Sequence, residues 1–79
     1  MITLTEAFKL CHIRDDEIVY LRPENGSRFS AQFYLGKQVR DKLDMKHTQV
    51  VGIDARFSYG GDFAGMEFTI KRKEKESSK

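Results

Sequence analysis

From Val51 to Tyr59 the apolar residues Val51, Ile53, Ala55, Phe57 and Tyr59 stand at every second position, with Gly52, Asp54, Arg56 and Ser58 between them. A period of two is the spacing of a β-strand, whose successive side chains point to opposite faces. The glycine-bearing stretch GGDFAG (60–65) follows, and Met66, Phe68 and Ile70 then alternate with Glu67, Thr69 and Lys71. Two alternating runs joined by such a turn predict a β-hairpin with one apolar face, and that face needs a cover.

A shorter hairpin is predicted upstream, over residues 17–35. Ile18, Val19, Tyr20 and Leu21 are β-branched and aromatic residues flanked by charge, and Pro23 ends the run because it cannot donate to a ladder. Asn25-Gly26 is a pair that tolerates the positive φ of a tight hairpin turn. Beyond it, Phe29, Ala31, Phe33 and Leu35 alternate with Ser30, Gln32 and Tyr34, which predicts the phenylalanine row inward and Tyr34 outward.

Each hairpin is preceded by a helical pattern. Thr3 with Glu6 three residues on forms a capping box ahead of Leu4, Ala7, Phe8 and Cys11 at helical spacing, so a helix is expected over Leu4–Cys11, with His12–Asp16 as its connection. So short a helix is marginal alone and must dock to be stable. Val39 and Leu43, four apart among Lys, Arg and Asp, predict a second helix within Lys37–Lys46 with a narrow buried stripe. The reading is a two-layer α+β domain of order helix-strand-strand-helix-strand-strand. Four antiparallel strands carry two helices on one face, with Phe29, Phe33, Phe57 and Phe68 in the core. The two halves have similar element lengths, as in a structural pseudo-repeat.

Seventy-nine residues at 39% hydrophobic suffice for one small core and not for two domains. Residues 1–70 carry 9 Lys/Arg against 10 Asp/Glu, so the basic surplus lies in the tail 71–79, where five lysines and arginines face Glu74 and Glu76. That tail has no apolar partner and is expected to be disordered, with residues 1–70 forming the domain. One cysteine permits no internal disulfide. The N-terminus shows no basic leader with an apolar core, and no apolar run approaches the roughly 18 residues of a membrane span. Together these point to a soluble cytoplasmic protein.

Few residues offer chemistry. Cys11 beside His12 suggests an activated thiolate, but Cys11 falls on the apolar stripe of its helix, where a thiol acts as a small hydrophobe. One cysteine and two distant histidines, His12 and His47, do not make a zinc site. Asp15, Asp16 and Glu17 lack the alternating oxygens of a calcium loop. Gly60, Gly61 and Gly65 precede a strand and not the helix that a phosphate cradle requires. No catalytic residue, metal or cofactor is therefore assigned. Phe63 at the loop tip either folds onto the sheet edge or meets a partner, and with Tyr34 it is the candidate protein contact. Arg22, Tyr34, Arg56, Lys71, Arg72, Lys73 and Lys75 form the alternative set, a weak nucleic-acid surface on the open sheet face and the basic tail. The other outward positions, Ser30, Gln32, Asp54, Glu67 and Thr69, give that face mixed sign.

The segment KLCHIRDDEIVYLR (9–22) resembles the opening of short uncharacterised proteins of bacterial phages and conjugative elements, and IDARFSYGGDFAGMEFTIKR (53–72) is similar to a hairpin from small open reading frames of Gram-positive conjugative transposons. Those families have no assigned activity, so the resemblance implies a mobile-element setting and carries over no site residue. A likeness to excisionase-type helix-turn-helix domains stops at EIVYL, which has strand character where a recognition helix belongs. The expectation is a non-enzymatic accessory or protein-interaction module, acting on an unknown protein partner or on itself, with weak nucleic-acid binding as the alternative.

Overall fold

The computed structural model describes residues 2–27 and 30–71. Its elements run β1 (Ile2–Thr3), α1 (Leu4–Leu10), β2 (Ile18–Pro23), β3 (Gln32–Leu35), α2 (Gly36–Lys42), β4 (Gln49–Phe57) and β5 (Phe63–Lys71). The α+β class and both helices follow the sequence pattern. The sheet does not: it has five strands in the order β1-β4-β5-β2-β3, and it is mixed rather than four-stranded and antiparallel. Both expected hairpins are present as antiparallel pairs, β2 with β3 and β4 with β5. They join through β2 and β5, which run parallel from Val19 opposite Met66 to Pro23 opposite Ile70. The seam thus unites the first strand of one hairpin with the second strand of the other. The two halves occupy inequivalent places, and the pseudo-repeat does not extend to the tertiary structure.

Local sequence accounts for the element ends. Thr3 caps α1 as expected, its hydroxyl accepting from the Glu6 N–H at 3.3 Å while the Glu6 carboxylate accepts from the Thr3 N–H at 3.0 Å. The helix closes at Leu10, with Cys11 as its cap and His12 in the left-handed region at φ 53°. The second helix is shorter than its pattern, because Asp44 turns the chain: its side chain accepts the N–H groups of Lys46 and His47 at 3.2 and 3.1 Å. Neither Asn25 nor Gly26 takes a positive φ, and the link between β2 and β3 is a longer loop in place of a tight turn. In the second hairpin Gly61 does take φ 87°, the turn conformation its sequence promised.

One core lies between the helices and one sheet face. Leu4, Ala7 and Phe8 of α1, Ile13 of the connection, and Val39 and Leu43 at α2 meet Val19, Leu21, Val50, Phe68 and Ile70. Full burial of such side chains stabilises by about 1.5–3 kcal/mol each, which fits a small domain without a disulfide. The phenylalanine core expected from the sequence is corrected here. Phe68 is fully buried, but Phe33 is 69% and Phe57 64% exposed, and Phe29 lies outside the described residues. On β3 the alternation is inverted: Tyr34 faces Val19 and packs on the core, whereas Phe33 faces Tyr20 on the other side of the sheet.

On β4 two effects shift the row. A register shift between Val50 and Gly52 sends Val50 to the core in place of Val51. Ile53 and Ala55 then stand opposite Phe68 and Met66, on the helix side of the sheet. They stay exposed because a seven-residue helix is about 10 Å long, whereas a nine-residue strand runs about 30 Å. Half of the long ribbon therefore projects beyond its cover. No helix among the described residues is long and apolar enough to cross a membrane.

Candidate functional site

On the face away from the helices, register sets Tyr20 and Arg22 of β2, Phe33 of β3, Asp54 and Arg56 of β4, and Glu67, Thr69 and Lys71 of β5 side by side. Glu67 is the centre. It is only 6% exposed, on the innermost strand, although its place between Met66 and Phe68 suggested a solvated outward residue. The Arg56 Nε donates to Glu67 Oε1 at 2.7 Å, and Arg22 Nη1 lies 3.9 Å from Oε2. A carboxylate this far from water requires such pairing. The Arg56 guanidinium also stacks over the Tyr20 ring at 4.6 Å, and Tyr20 leans on Phe33 at 6.4 Å. Beside them Arg22, Ala31, Asp54, Ala55, Arg56, Phe57 and Glu67 line an open groove of about 710 Å³.

The nucleic-acid set proposed by the sequence is divided by this arrangement. Arg22 and Arg56 do converge, but on a protein carboxylate. Lys71 shares their face at the far end of β5, opposite Gln49. Tyr34 lies on the helix side, its hydroxyl donating to Gln32 Oε1 at 2.8 Å and its ring 5.8 Å from the Lys42 ammonium. Arg72, Lys73 and Lys75 lie outside the described residues. Of the predicted protein contacts, Phe63 is 58% exposed at the hairpin tip, its ring edge-on to Phe57 at 6.1 Å, so it rests on the neighbouring strand and still faces solvent.

Three features escaped the sequence reading. Glu67 carries no local signal, because only the register brings Arg22 and Arg56 to it. The second is a clasp by Arg40 of α2, which lies over the Phe8 ring at 5.2 Å, donates to the Ile13 carbonyl at 2.9 Å and pairs with Asp15. It ties both helices and the intervening loop together, and it lines a groove of about 880 Å³ with Thr5, Lys9, His12, Arg14 and Met45. The third is a long free edge. β1 pairs β4 only at Gln49 and Val50, so among the described residues the outer edge of β4 from Val51 to Phe57 has no strand beside it.

The acidic and nucleophilic candidates are placed as follows. Asp15 is held by Arg40, and Glu17 accepts from Arg14 Nε at 3.3 Å. No group of three or more His, Cys, Asp or Glu is arranged to hold a metal among the described residues. Partial burial pushes the Cys11 thiol above its ordinary value, the opposite of what activates a nucleophile. His47 bonds Asp44 through Nδ1 at 2.8 Å, and this bond holds the Asp44 carboxyl below its usual range.

Most of the exposed large apolar residues fall into two groups, with Leu10 at the end of α1 standing apart. On the helix-side face of the ribbon, beyond the helices, Ile53 is 40%, Phe57 64% and Phe63 58% exposed, with Tyr59 projecting from the loop beside them. On the open face, Ile18 and Leu35 sit opposite each other, each 42% exposed, next to Phe33. No family model, no curated protein and no solved structure matches this chain.

Proposed function

We propose that this chain is a non-enzymatic protein-interaction module, and that its working surface is the uncovered half of the β4–β5 ribbon. One observation carries the reading. Ile53, Phe57 and Phe63 form a contiguous apolar row on a strand pair that the helices do not reach, beside an unpaired backbone edge. Single exposed apolar residues are ordinary, whereas a contiguous row next to free strand hydrogen-bonding groups favours contact with another polypeptide. The likeness of residues 9–22 and 53–72 to proteins of bacterial mobile elements points to that setting for the partner. Binding to nucleic acid through the open face draws less support, because Glu67 engages Arg56 and lies 3.9 Å from Arg22, which cuts the charge that the three groups offer a phosphate to one net positive.

The test is a pair of variants, Phe57→Ser with Phe63→Ser, read by sedimentation velocity of the purified chain and by affinity capture from a bacterial lysate. The expected result is a complex, with itself or another protein, that the double variant loses while its melting temperature stays near that of the parent. A parent chain that stays monomeric and captures nothing dependent on Phe57 and Phe63 overturns the proposal.

A further inference from the structure

Resting on the interaction reading above, we infer that the partner is a second copy of the same chain, paired antiparallel along the free edge of β4 about a twofold axis through Ala55. Of the registers centred near the middle of the edge, one is self-complementary. A twofold axis perpendicular to a sheet sets one residue opposite itself, so the choices near the middle of the free edge are Asp54, Ala55 and Arg56. Centring on Asp54 places two carboxylates face to face, and centring on Arg56 places two guanidinium groups face to face. Like charges directly opposite one another destabilise a strand pair. With Ala55 on the axis, Asp54 of each copy stands opposite Arg56 of the other, giving two cross-strand ion pairs.

The other face agrees with that register. Ile53 then stands opposite Phe57 of the partner, twice, and these residues are 40% and 64% exposed in the single chain. Ala55, itself exposed, is the only methyl at the axis and leaves the two backbones room to approach. In the single chain the Arg56 guanidinium holds Glu67 through Nε and lies over Tyr20, so in the pair it swings toward the β4 edge to meet Asp54 of the partner. At the ends, β1 occupies only Gln49 and Val50. The partner strand runs from Gly52 to Ser58 without meeting β1, and its chain turns away at Gly60 and Gly61. The product is a ten-stranded sheet continuous across the axis. A strand edge of this length is smaller than the roughly 800 Å² per partner of a standard interface, so the association is expected in the range of about 10 µM to 1 mM.

Two independent readouts test it on the full chain. Sedimentation equilibrium is expected to show the mass rising toward the dimer with concentration. Asp54→Arg and Arg56→Asp each weaken this by at least about tenfold, and an equimolar mixture of the two variants restores it as a heterodimer. Because Arg56→Asp also removes the bond to Glu67, a second series includes one variant, Ala55→Cys, that keeps both charge pairs at the axis. In a Cys11→Ser background, Ala55→Cys is expected to oxidise to a covalent dimer faster than Asp54→Cys or Arg56→Cys, since only position 55 meets itself. A parent chain that stays monomeric up to about 1 mM overturns the self-pairing, as does equal oxidation at all three positions. Capture of another protein that needs Phe57 and Phe63, by a chain that is itself monomeric, refutes the self-pairing alone and leaves the interaction reading standing.

Discussion

Gly36 opens α2, and replacing it with alanine sets a local rule against a tertiary contact. Alanine is favoured over glycine within a helix by about 1 kcal/mol, and the positive-φ glycines of the described chain are Gly61 and Gly65, so backbone conformation does not demand glycine here. From sequence the substitution would stabilise. The tertiary structure reverses the sign. The loop after α1 lies across the start of α2, with the Gly36 N–H donating to the Glu17 carbonyl at 2.9 Å and the Lys37 N–H to Asp15 at 3.0 Å. A Cβ at position 36 would stand 2.3 Å from the Arg14 carbonyl oxygen and 3.2 Å from Ile13 Cγ2. Relief needs a shift of about 1 Å in backbone that is pinned by those two hydrogen bonds and by the Arg40 clasp. Overpacking of this kind costs up to about 3 kcal/mol, leaving a net loss of about 2 kcal/mol after the helix gain. For a domain of this size that lowers Tm by about 8–16 °C. Gly60→Ala is the control: its Cβ would find nothing closer than 3.8 Å, and its Tm is expected to stay near the parent's. Thermal melts followed by circular dichroism, with urea midpoints alongside, decide the matter. A Gly36→Ala protein as stable as the parent or more so would refute the packing of the 13–17 loop on α2.

Phe68→Ala removes the largest fully buried side chain, in contact with Phe8 at a ring distance of 5.8 Å, and is expected to cost about 3–5 kcal/mol by urea titration; a cost near that of a surface change would place the core elsewhere. Because burial raises the Cys11 thiol, its thiolate is scarce at neutral pH, so alkylation by iodoacetamide should accelerate only above the ordinary thiol range; rapid saturation at pH 7 would contradict this. The Asp44 carboxyl, lowered by its bond to His47, should titrate by NMR below the usual aspartate value. What it adds to stability is present above its unfolded pKa and lost as pH falls through the lowered one. His47→Ala should move that midpoint upward, and an unmoved midpoint removes the interaction.

Local pattern carried most of the secondary structure because its causes are local. The Thr3–Glu6 capping box sets the start of α1 within a single turn. The Gly60-Gly61 turn and the alternation on either side of it make the second hairpin, whatever surrounds them. The same local view failed on which face is buried. Period-two spacing shows that Phe57 and Phe33 share a row with apolar neighbours, and it does not show where a cover ends or where a register shift intervenes, as between Val50 and Gly52. Of the candidate residues, Phe63 stood between folding onto the sheet edge and facing a partner, and in the structure it rests on Phe57 while 58% exposed. The grouping of Arg22, Arg56 and Glu67 was not legible, since the three stand on three strands.

The sequence by itself determined that the chain folds as one α+β unit with two helices and two hairpins, because helix caps, turn residues and side-chain periodicity act over a few residues. Only the tertiary structure decided that the hairpins meet in parallel through β2 and β5, that β1 adds a fifth strand, and that the end of the β4–β5 ribbon lies beyond the helices. Strand partners distant in sequence are chosen by which set of side chains fills the interior together, and seven-residue helices are too short to cover nine-residue strands. The exposed apolar row and free edge on which the interaction proposal stands follow from that mismatch in length.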